Sequence, residues 1–394
     1  ARAVDSTRFE PTKNGLDAYV TEARRTAIGR SHPEKGLYRT VRADHLMASL
    51  LKYFAKNHID PKHVDDFYAG CVGQHLEQGK NLARLSWLLA GLPDTVPGAT
   101  INRLCASSLQ AFHFAACTLH AGQGKVVFAG GVEHMHHVPM SAALDYSQEL
   151  LARYEFPFTQ MGLTAERVAS DHQITRLAQD RFASESHLKA AAAQRSGFFA
   201  REILPVEGVE TNMDQGPRPD SSCEALAVLK PAFQENGTVT AGNCSPVSDG
   251  ASLTCLATLD ACREYGLKPR AQVVATAAVG LDPLRMGMGP VPAIEKLLKL
   301  AGIPLARIGV FEINEAFASQ AVACVRKLEI DPAIVNPQGG AIALGHPLGA
   351  TGTRLITTLL NGMETMDTEF GVAAMCVGHG QGVATLLKRV KNNG

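Results

Sequence analysis

The sequence lacks the features that mark several large classes of protein. Neither charge is in excess: Lys+Arg number 38 and Asp+Glu 38 among 394 residues. A nucleic-acid binder needs a basic face, and a zero net charge removes the usual basis for one. No apolar run approaches the roughly 20 residues that a membrane span requires. The nine cysteines contain no C-x-x-C pair, which argues against zinc ribbons and thioredoxin-type redox motifs. A disulfide framework is not expected in a chain this long without a secretory signal. The scattered thiols point to a reducing compartment, with most of them buried as small hydrophobes, and a cytoplasmic location is the expectation.

Apolar residues make up 45% and charged residues 19%, so a large core is available and global disorder is excluded. The length fits two or three domains. The 36 glycines fall largely in short clusters, which points to tight turns and close backbone approach. Residues 1–17 read as a loose N-terminal arm. Asp5 and Glu10 argue against a transit peptide, and the final Asn-Asn-Gly is not a peroxisomal address.

The ordered body alternates short apolar runs with helical patterns, as βα units do. Three stretches of the first half echo three of the second. Asp66–Cys71 aligns with Gly309–Asn314, the segment around Cys105 with that around His346, and the run from Val126 with the run from Val372. The offsets lie between 241 and 246 residues, which favours a duplicated domain over a solenoid. The resulting division is 18–130 for the N-terminal half (completed by about 239–270), 131–238 for an inserted loop domain, and 271–394 for the C-terminal half. Within the insertion, Ile174–Ala193 has helical character.

Four segments could carry chemistry. Cys105 precedes small residues and then a helical pattern ending at Gly122. Unpaired N–H groups at a helix start favour a thiolate and a lowered pKa; a buried structural cysteine is the alternative. His346 lies in Gly345-His346-Pro347-Leu348-Gly349, on a fixed turn with a helix expected from about Gly352. An imidazole near its ordinary pKa there is a natural general base. Cys376-Val377-Gly378-His379-Gly380 follows a strand-like run. Its accessible N–H groups suit an oxyanion hole, a phosphate loop, or simply a turn between the last two strands. Asn314 follows another strand-like run, where its amide can hold a water or substrate oxygen or cap a helix.

Taken together, N-E-A-F-A at Asn314, G-G-A-I-A-L-G-H-P-L-G around His346 and C-x-G-x-G-x-G at Cys376 resemble the thiolases, enzymes that make or cleave 3-oxoacyl thioesters of coenzyme A. The resemblance runs from about Leu16 to Val390. Glu133-His134-Met135, Met161-Gly162-Leu163-Thr164-Ala165-Glu166 and Gly380-Gln381-Gly382 look most like the degradative branch, the thiolase subunits of bacterial fatty-acid oxidation complexes. It implies a thiolase fold: two similar βα domains stacked as α-β-α-β-α layers, with the insertion as a lid. It also implies fatty-acid β-oxidation by ping-pong thiolysis. In that reading Cys105 is the nucleophile, His346 its base, Asn314 the holder of a water, and Cys376 the second acid and base. The N–H groups of Cys105 and Gly378 form an oxyanion hole. Arg218 and Ser245 match residues beside coenzyme A, and Met161, Met286 and Phe317 match residues lining the thioester and acyl region. Coenzyme A is a substrate, and no tightly bound cofactor is implied. A homodimer or higher oligomer is implied, with a hydratase/dehydrogenase subunit as a further partner. A biosynthetic acetoacetyl-CoA thiolase and a non-catalytic acyl-CoA binder are the alternatives.

Four residues depart from the family pattern: Ala27, Ala106, His136 and His379. The His134, His136 and His137 stretch invites a metal, but a polar loop near the substrate entrance is preferred, and no metal is expected.

Overall fold

The computed structural model describes residues 15–142 and 144–391. Most of the expected N-terminal arm and the last three residues lie outside the described residues. The first half holds β1 (Tyr19–Arg25), β2 (Gly29–Arg30), β3 (Asp66–Gly70), β4 (Gly98–Ile101) and β5 (Val126–His134), with α1 (Ala43–Asn57), α2 (Leu82–Leu89) and α3 (Ser107–His120). The inserted region contributes α4 (Gln148–Leu151), α5 (Met161–Asp171), α6 (Arg176–Arg195) and α7 (Cys223–Ala227). β6 (Ser248–Ala257) and α8 (Leu259–Tyr265) then return to the first half. The second half holds β7 (Ala271–Gly280), α9 (Pro290–Ala301), β8 (Ile308–Ile313), α10 (Ala318–Lys327), α11 (Ala341–Leu344), α12 (Leu348–Thr365), β9 (Phe370–Val377) and β10 (Gln381–Arg389).

The strands run in the order β4-β3-β5-β6-β1-β7-β10-β9-β8, with β2 paired to β6. The duplication is visible in the pairing. β3 lies parallel to β5, and β5 antiparallel to β6. β8 lies parallel to β9, and β9 antiparallel to β10. The halves are joined where β1 pairs with β7, Tyr19 opposite Gln272 and Val20 opposite Ala271. α3 and α12 occupy equivalent places in the two halves.

Strand alternation separates the layers. Val126 and Phe128 of β5 face α1 and α2 in one core with Leu46, Phe54 and Trp87. Val127 and Ala129 face the other way, into a core with Phe112 of α3, Leu359 of α12, and Val310 and Met375 of the second half. Beyond that half's strands, Phe311 and Val372 meet Ile294 of α9 and Cys324 of α10. The sequence of layers is therefore helix, sheet, paired helices, sheet, helix. β5 is buried along its whole length, as expected of a strand covered on both faces.

Three details differ from the sequence reading. β5 continues to His134, so the boundary drawn at 131 falls within a strand. α12 begins at Leu348 and not near Gly352, because Pro347 supplies the stop and the helix starts directly after it. His134 is fully buried at the end of β5, not on a loop at the substrate entrance, because the strand carries it into the core.

Candidate active site

The two central helices meet at their N-terminal ends. A Cβ on Gly352 of α12 would lie 2.2 Å from the Leu109 nitrogen of α3, so only glycine permits that approach. Thr353 N–H donates to Ser108 Oγ at 3.1 Å across the same contact. Cys105 sits two residues before α3 and His346 two residues before α12, so the crossing brings both turns to one region.

The Cys105 turn is tightly held. Leu104 has a left-handed φ of 47°, and its N–H donates to Asn102 Oδ1 at 2.8 Å. Ser107 Oγ donates to the Leu104 carbonyl at 2.6 Å and accepts from Arg103 N–H at 3.0 Å. Ala106, the departure next to the nucleophile position, is fully buried in the central core. Cys105 is half-buried as a residue. The N–H groups of Gly378 and of Cys105 itself point to its sulfur and favour the thiolate. Burial opposes them and prevails, leaving the thiol above its ordinary pKa. The lowering expected from the helix start is thus not found, because the rest of the fold crowds water away from the sulfur.

His346 is buried, with burial first and then Arg354 pushing its pKa down to about 3. The expectation of an ordinary pKa is corrected: this imidazole is neutral. Its tautomer follows from the hydrogen bonds. Thr351 Oγ1 donates to the Pro347 carbonyl at 2.7 Å, so it accepts from His346 Nδ1–H at 2.7 Å. Nε2 then carries the lone pair, and the Asn314 amide donates to it at 3.4 Å. A lone pair aimed this way is what a general base needs. Asn314 lies at the end of β8, where its N–H donates to the Ala374 carbonyl of β9 at 2.9 Å. Its Oδ1 is buried without a partner and is free to accept from a bound group.

Cys376, near the end of β9, is buried, and burial, then Cys105 and Cys324, push its thiol well above the ordinary value. It packs in one apolar cluster with Met161, Met286, Phe317, Ala165 and Cys244. The structure therefore gathers Cys376 with three residues singled out for the acyl region. Gly378 opens the β9–β10 turn. A Cβ there would stand 3.2 Å from Leu104 and 3.4 Å from the Met161 sulfur. The segment forms the turn between the last two strands.

Arg218 lies outside that cluster, and Ser245 borders it beside Cys244. Arg218 lines a cleft of about 440 Å³ with Arg30, His32, His187, Cys244 and Ser248. Ser245 sits between Cys244 and Pro246 of its wall, its N–H donating to the Ala316 carbonyl at 3.0 Å. The cleft leads inward to Ser248, whose Oγ accepts from His346 N–H at 3.3 Å. Arg30 and Arg218 bring cationic side chains to the cleft, and Ser248 joins its wall to the His346 backbone.

Sequence reading missed several contributors. Thr351 fixes the His346 tautomer. Glu133, buried on β5, accepts from Val72 N–H at 3.0 Å, Gly73 N–H at 2.9 Å and Gly349 N–H at 2.8 Å. It thereby ties a first-half loop to the start of α12. Burial raises its pKa despite these donors. The E-H-M motif contained this residue, but its partners are remote in sequence. His187 donates no ring charge to the cleft, because burial lowers it to about 4.

Glu77, His134 and His137 come together closely enough to hold an ion, but their nitrogens are occupied. His134 Nε2 donates to the Tyr38 carbonyl at 2.9 Å, and its Nδ1 accepts from His137 N–H at 3.2 Å. His137 reaches Glu77 Oε1 and the Arg39 carbonyl, both at 3.0 Å, and the two rings stack at 3.8 Å. Each is satisfied as a structural group.

Comparison with known proteins agrees with this architecture. The chain matches the family "Thiolase, N-terminal domain" over residues 18–260 and "Thiolase, C-terminal domain" over residues 267–389. It is 47% identical to the 3-ketoacyl-CoA thiolase of Erwinia tasmaniensis and 48% identical to that of Escherichia fergusonii. Each alignment covers 94% of this chain and 99% of the relative. The crystal structure of the Bacillus anthracis acetyl-CoA acetyltransferase superposes with a TM-score of 0.87 at 36% identity, covering 96% of this chain and 100% of that one.

Proposed function

This chain belongs to the thiolase family, and from that premise we propose that it is a 3-ketoacyl-CoA thiolase acting in fatty-acid β-oxidation. It cleaves 3-oxoacyl-CoA with coenzyme A to acetyl-CoA and a shortened acyl-CoA. The observation that carries the reading is the Cys105 sulfur favoured as thiolate by the N–H groups of Gly378 and Cys105, with a second buried thiol, Cys376, near enough to feel its charge.

In the first half-reaction Cys105 Sγ attacks the 3-keto carbon and its proton passes to His346 Nε2. The bond between C2 and C3 breaks, and its electron pair becomes the enolate of acetyl-CoA. His346 and a water accepted by Asn314 stabilise the enolate oxygen. Cys376 gives its proton to C2, and acetyl-CoA leaves. In the second, the Cys376 thiolate takes the proton of incoming coenzyme A, whose sulfur attacks the acyl-cysteine. The tetrahedral oxyanion accepts from the N–H groups of Cys105 and Gly378. Collapse releases the shortened acyl-CoA, and His346 returns the proton to Cys105. The raised pKa values fit this sequence, because both thiols rest protonated and surrender their protons only when a base or carbanion is at hand. Dividing carbon–carbon cleavage into two thioester steps is the gain of covalent catalysis.

The cleft from Arg30 and Arg218 to Ser248 suits the phosphates and pantetheine of coenzyme A, with Arg218 at the nucleotide end and Ser245 along the arm. Met161, Met286 and Phe317 line the acyl side. Coenzyme A acts as substrate, with no tightly held cofactor.

A second copy of the chain fits the edge at β4, whose only strand partner among the described residues is β3. Leu76 is exposed beside it, as are Leu85, Leu88 and Leu89 of α2 and Phe114 of α3. Light scattering of a Leu88→Lys variant is expected to give a smaller particle than the unmodified chain. Partnership with a hydratase/dehydrogenase subunit would deliver the 3-oxoacyl-CoA locally; co-expression with light scattering tests it. The nine unpaired cysteines support a cytoplasmic setting, and among the described residues no helix is long and apolar enough to cross a membrane.

Thiolysis assayed across 3-oxoacyl-CoA chain lengths tests the main reading. Turnover of acetoacetyl-CoA alone would assign the chain to the biosynthetic class, which the likeness to an acetyl-CoA acetyltransferase keeps in view. Binding without turnover would make it an acyl-CoA carrier.

A further inference from the structure

The turn between β9 and β10 holds a side chain that its backbone disfavours. His379 has a φ of 63°, a region where a Cβ costs roughly 1–2 kcal/mol and glycine is usual. Its ring is engaged with the insertion. It stands edge-on to Tyr146, with centroids 5.9 Å apart at 85°, and to Phe158, 5.3 Å apart at 89°. Nε2 lies 3.5 Å from the Tyr146 hydroxyl. Phe158 is itself buried and meets Tyr154 edge-on at 4.9 Å.

Three residues beyond Phe158, the chain reaches Met161 at the start of α5. The Met161 sulfur lies 3.4 Å from where a Cβ on Gly378 would be, and Met161 packs in the cluster that holds Cys376. A closed circuit of contacts therefore runs from His379 through Phe158 and Met161 to Gly378, leaving and re-entering the same turn.

We propose that His379 is a positioning residue that latches the insertion, from Leu144 to Gln160, onto the catalytic turn, holding Met161 against Gly378 and fixing the wall that the acyl chain meets. The proposal rests on the thiolase reading for its acyl-chain consequence, while the latch itself does not. The ring's partners are Tyr146 and Phe158. Burial holds the imidazole below its ordinary value, so it stays neutral against the aromatic rings.

Two variants separate the latch from a general loss of structure. His379→Gly removes the ring and relieves the backbone; His379→Phe keeps the ring contacts and the strained φ. Hydrogen–deuterium exchange of the ligand-free protein is expected to quicken about tenfold across 144–160 in His379→Gly, the scale of losing two edge-to-face contacts, with β6 peptides unchanged. For a long-chain 3-oxoacyl-CoA, kcat/KM should fall by a similar factor, mainly through KM, with a smaller fall for acetoacetyl-CoA. His379→Phe should restore both exchange protection and chain-length preference. Unchanged exchange in His379→Gly would overturn the latch, as would its failure to recover in His379→Phe. Equal losses for short and long substrates, carried by kcat, would overturn the acyl-wall role. A wild type inert toward every 3-oxoacyl-CoA would overturn the proposed activity and that role together, whereas exchange still reads the latch.

Discussion

Cys105 and His346 occupy the same place in the two halves, each two residues before a central helix, yet their surroundings differ. Cys105 is half-buried as a residue, and its sulfur receives two backbone N–H groups. The imidazole is closed in, with both nitrogens assigned by Thr351 and Asn314. A duplicated scaffold thus supplies two equivalent turns, and side chain and burial divide the labour between them. The Cys105 turn stays half-buried, whereas the His346 turn is buried and locked by hydrogen bonds.

Deleting the proposed nucleophile breaks the comparison most completely. Cys105→Ala is expected to lower thiolysis by at least about 10⁴-fold, the scale of losing one member of a catalytic unit, and mass spectrometry should find no acyl-enzyme. Cys376→Ser should still acylate at Cys105 while turnover falls by about 10²–10⁴-fold, as for a lost proton-transfer group. Equal acylation in the two variants would contradict the division.

The locked turn offers a second point of attack. Asn314→Ala should reduce kcat by about 10²–10³-fold, the range for an oxyanion-hole group, with a modest change in KM. A rise in KM alone would make Asn314 a binding residue. Glu133 joins the halves from behind by serving Val72, Gly73 and Gly349. Glu133→Ala leaves buried donors unanswered, at about 1–3 kcal/mol each, and urea unfolding should show the loss.

The smallest effect sharpens the contrast in burial. His346 and His113 are held near pKa 3, against about 6.5 in an unfolded chain. Between these values the unfolded state binds protons that the folded state refuses, so stability falls as pH drops from about 6.5 toward 3. His113→Gln should remove up to about 1.4 kcal/mol per pH unit from that slope. An unchanged slope would mean that His113 is not buried neutral.

The segments proposed to carry chemistry stand out because glycine, proline and small residues crowd around Cys105, His346 and Cys376, and because their spacing repeats between halves. The strand runs before Asn314 and Cys376 were legible from apolar patterning. The direction of the Cys105 shift was not, because the helix start is local while the burial that outweighs it comes from packing of both halves. Glu133 is in a visible motif, but its partners Gly73 and Gly349 stand 60 and 216 residues away. The histidine-rich stretch was misplaced because polarity pointed to a loop, whereas β5 carries His134 into the core.

By itself, the sequence determined that the chain is a duplicated βα protein and which residue types stand at its turns, since periodicity, glycine placement and motif order are properties of the string. Only the tertiary structure decided which of those residues share a site and in what protonation state. It set the Gly378 N–H on the Cys105 sulfur, left the Nε2 lone pair of His346 facing Asn314, and brought the insertion against His379 through Tyr146, 233 residues earlier in the chain. The physical reason is that desolvation and hydrogen-bond partnership depend on every group packed around an atom, and most of those groups are remote along the chain.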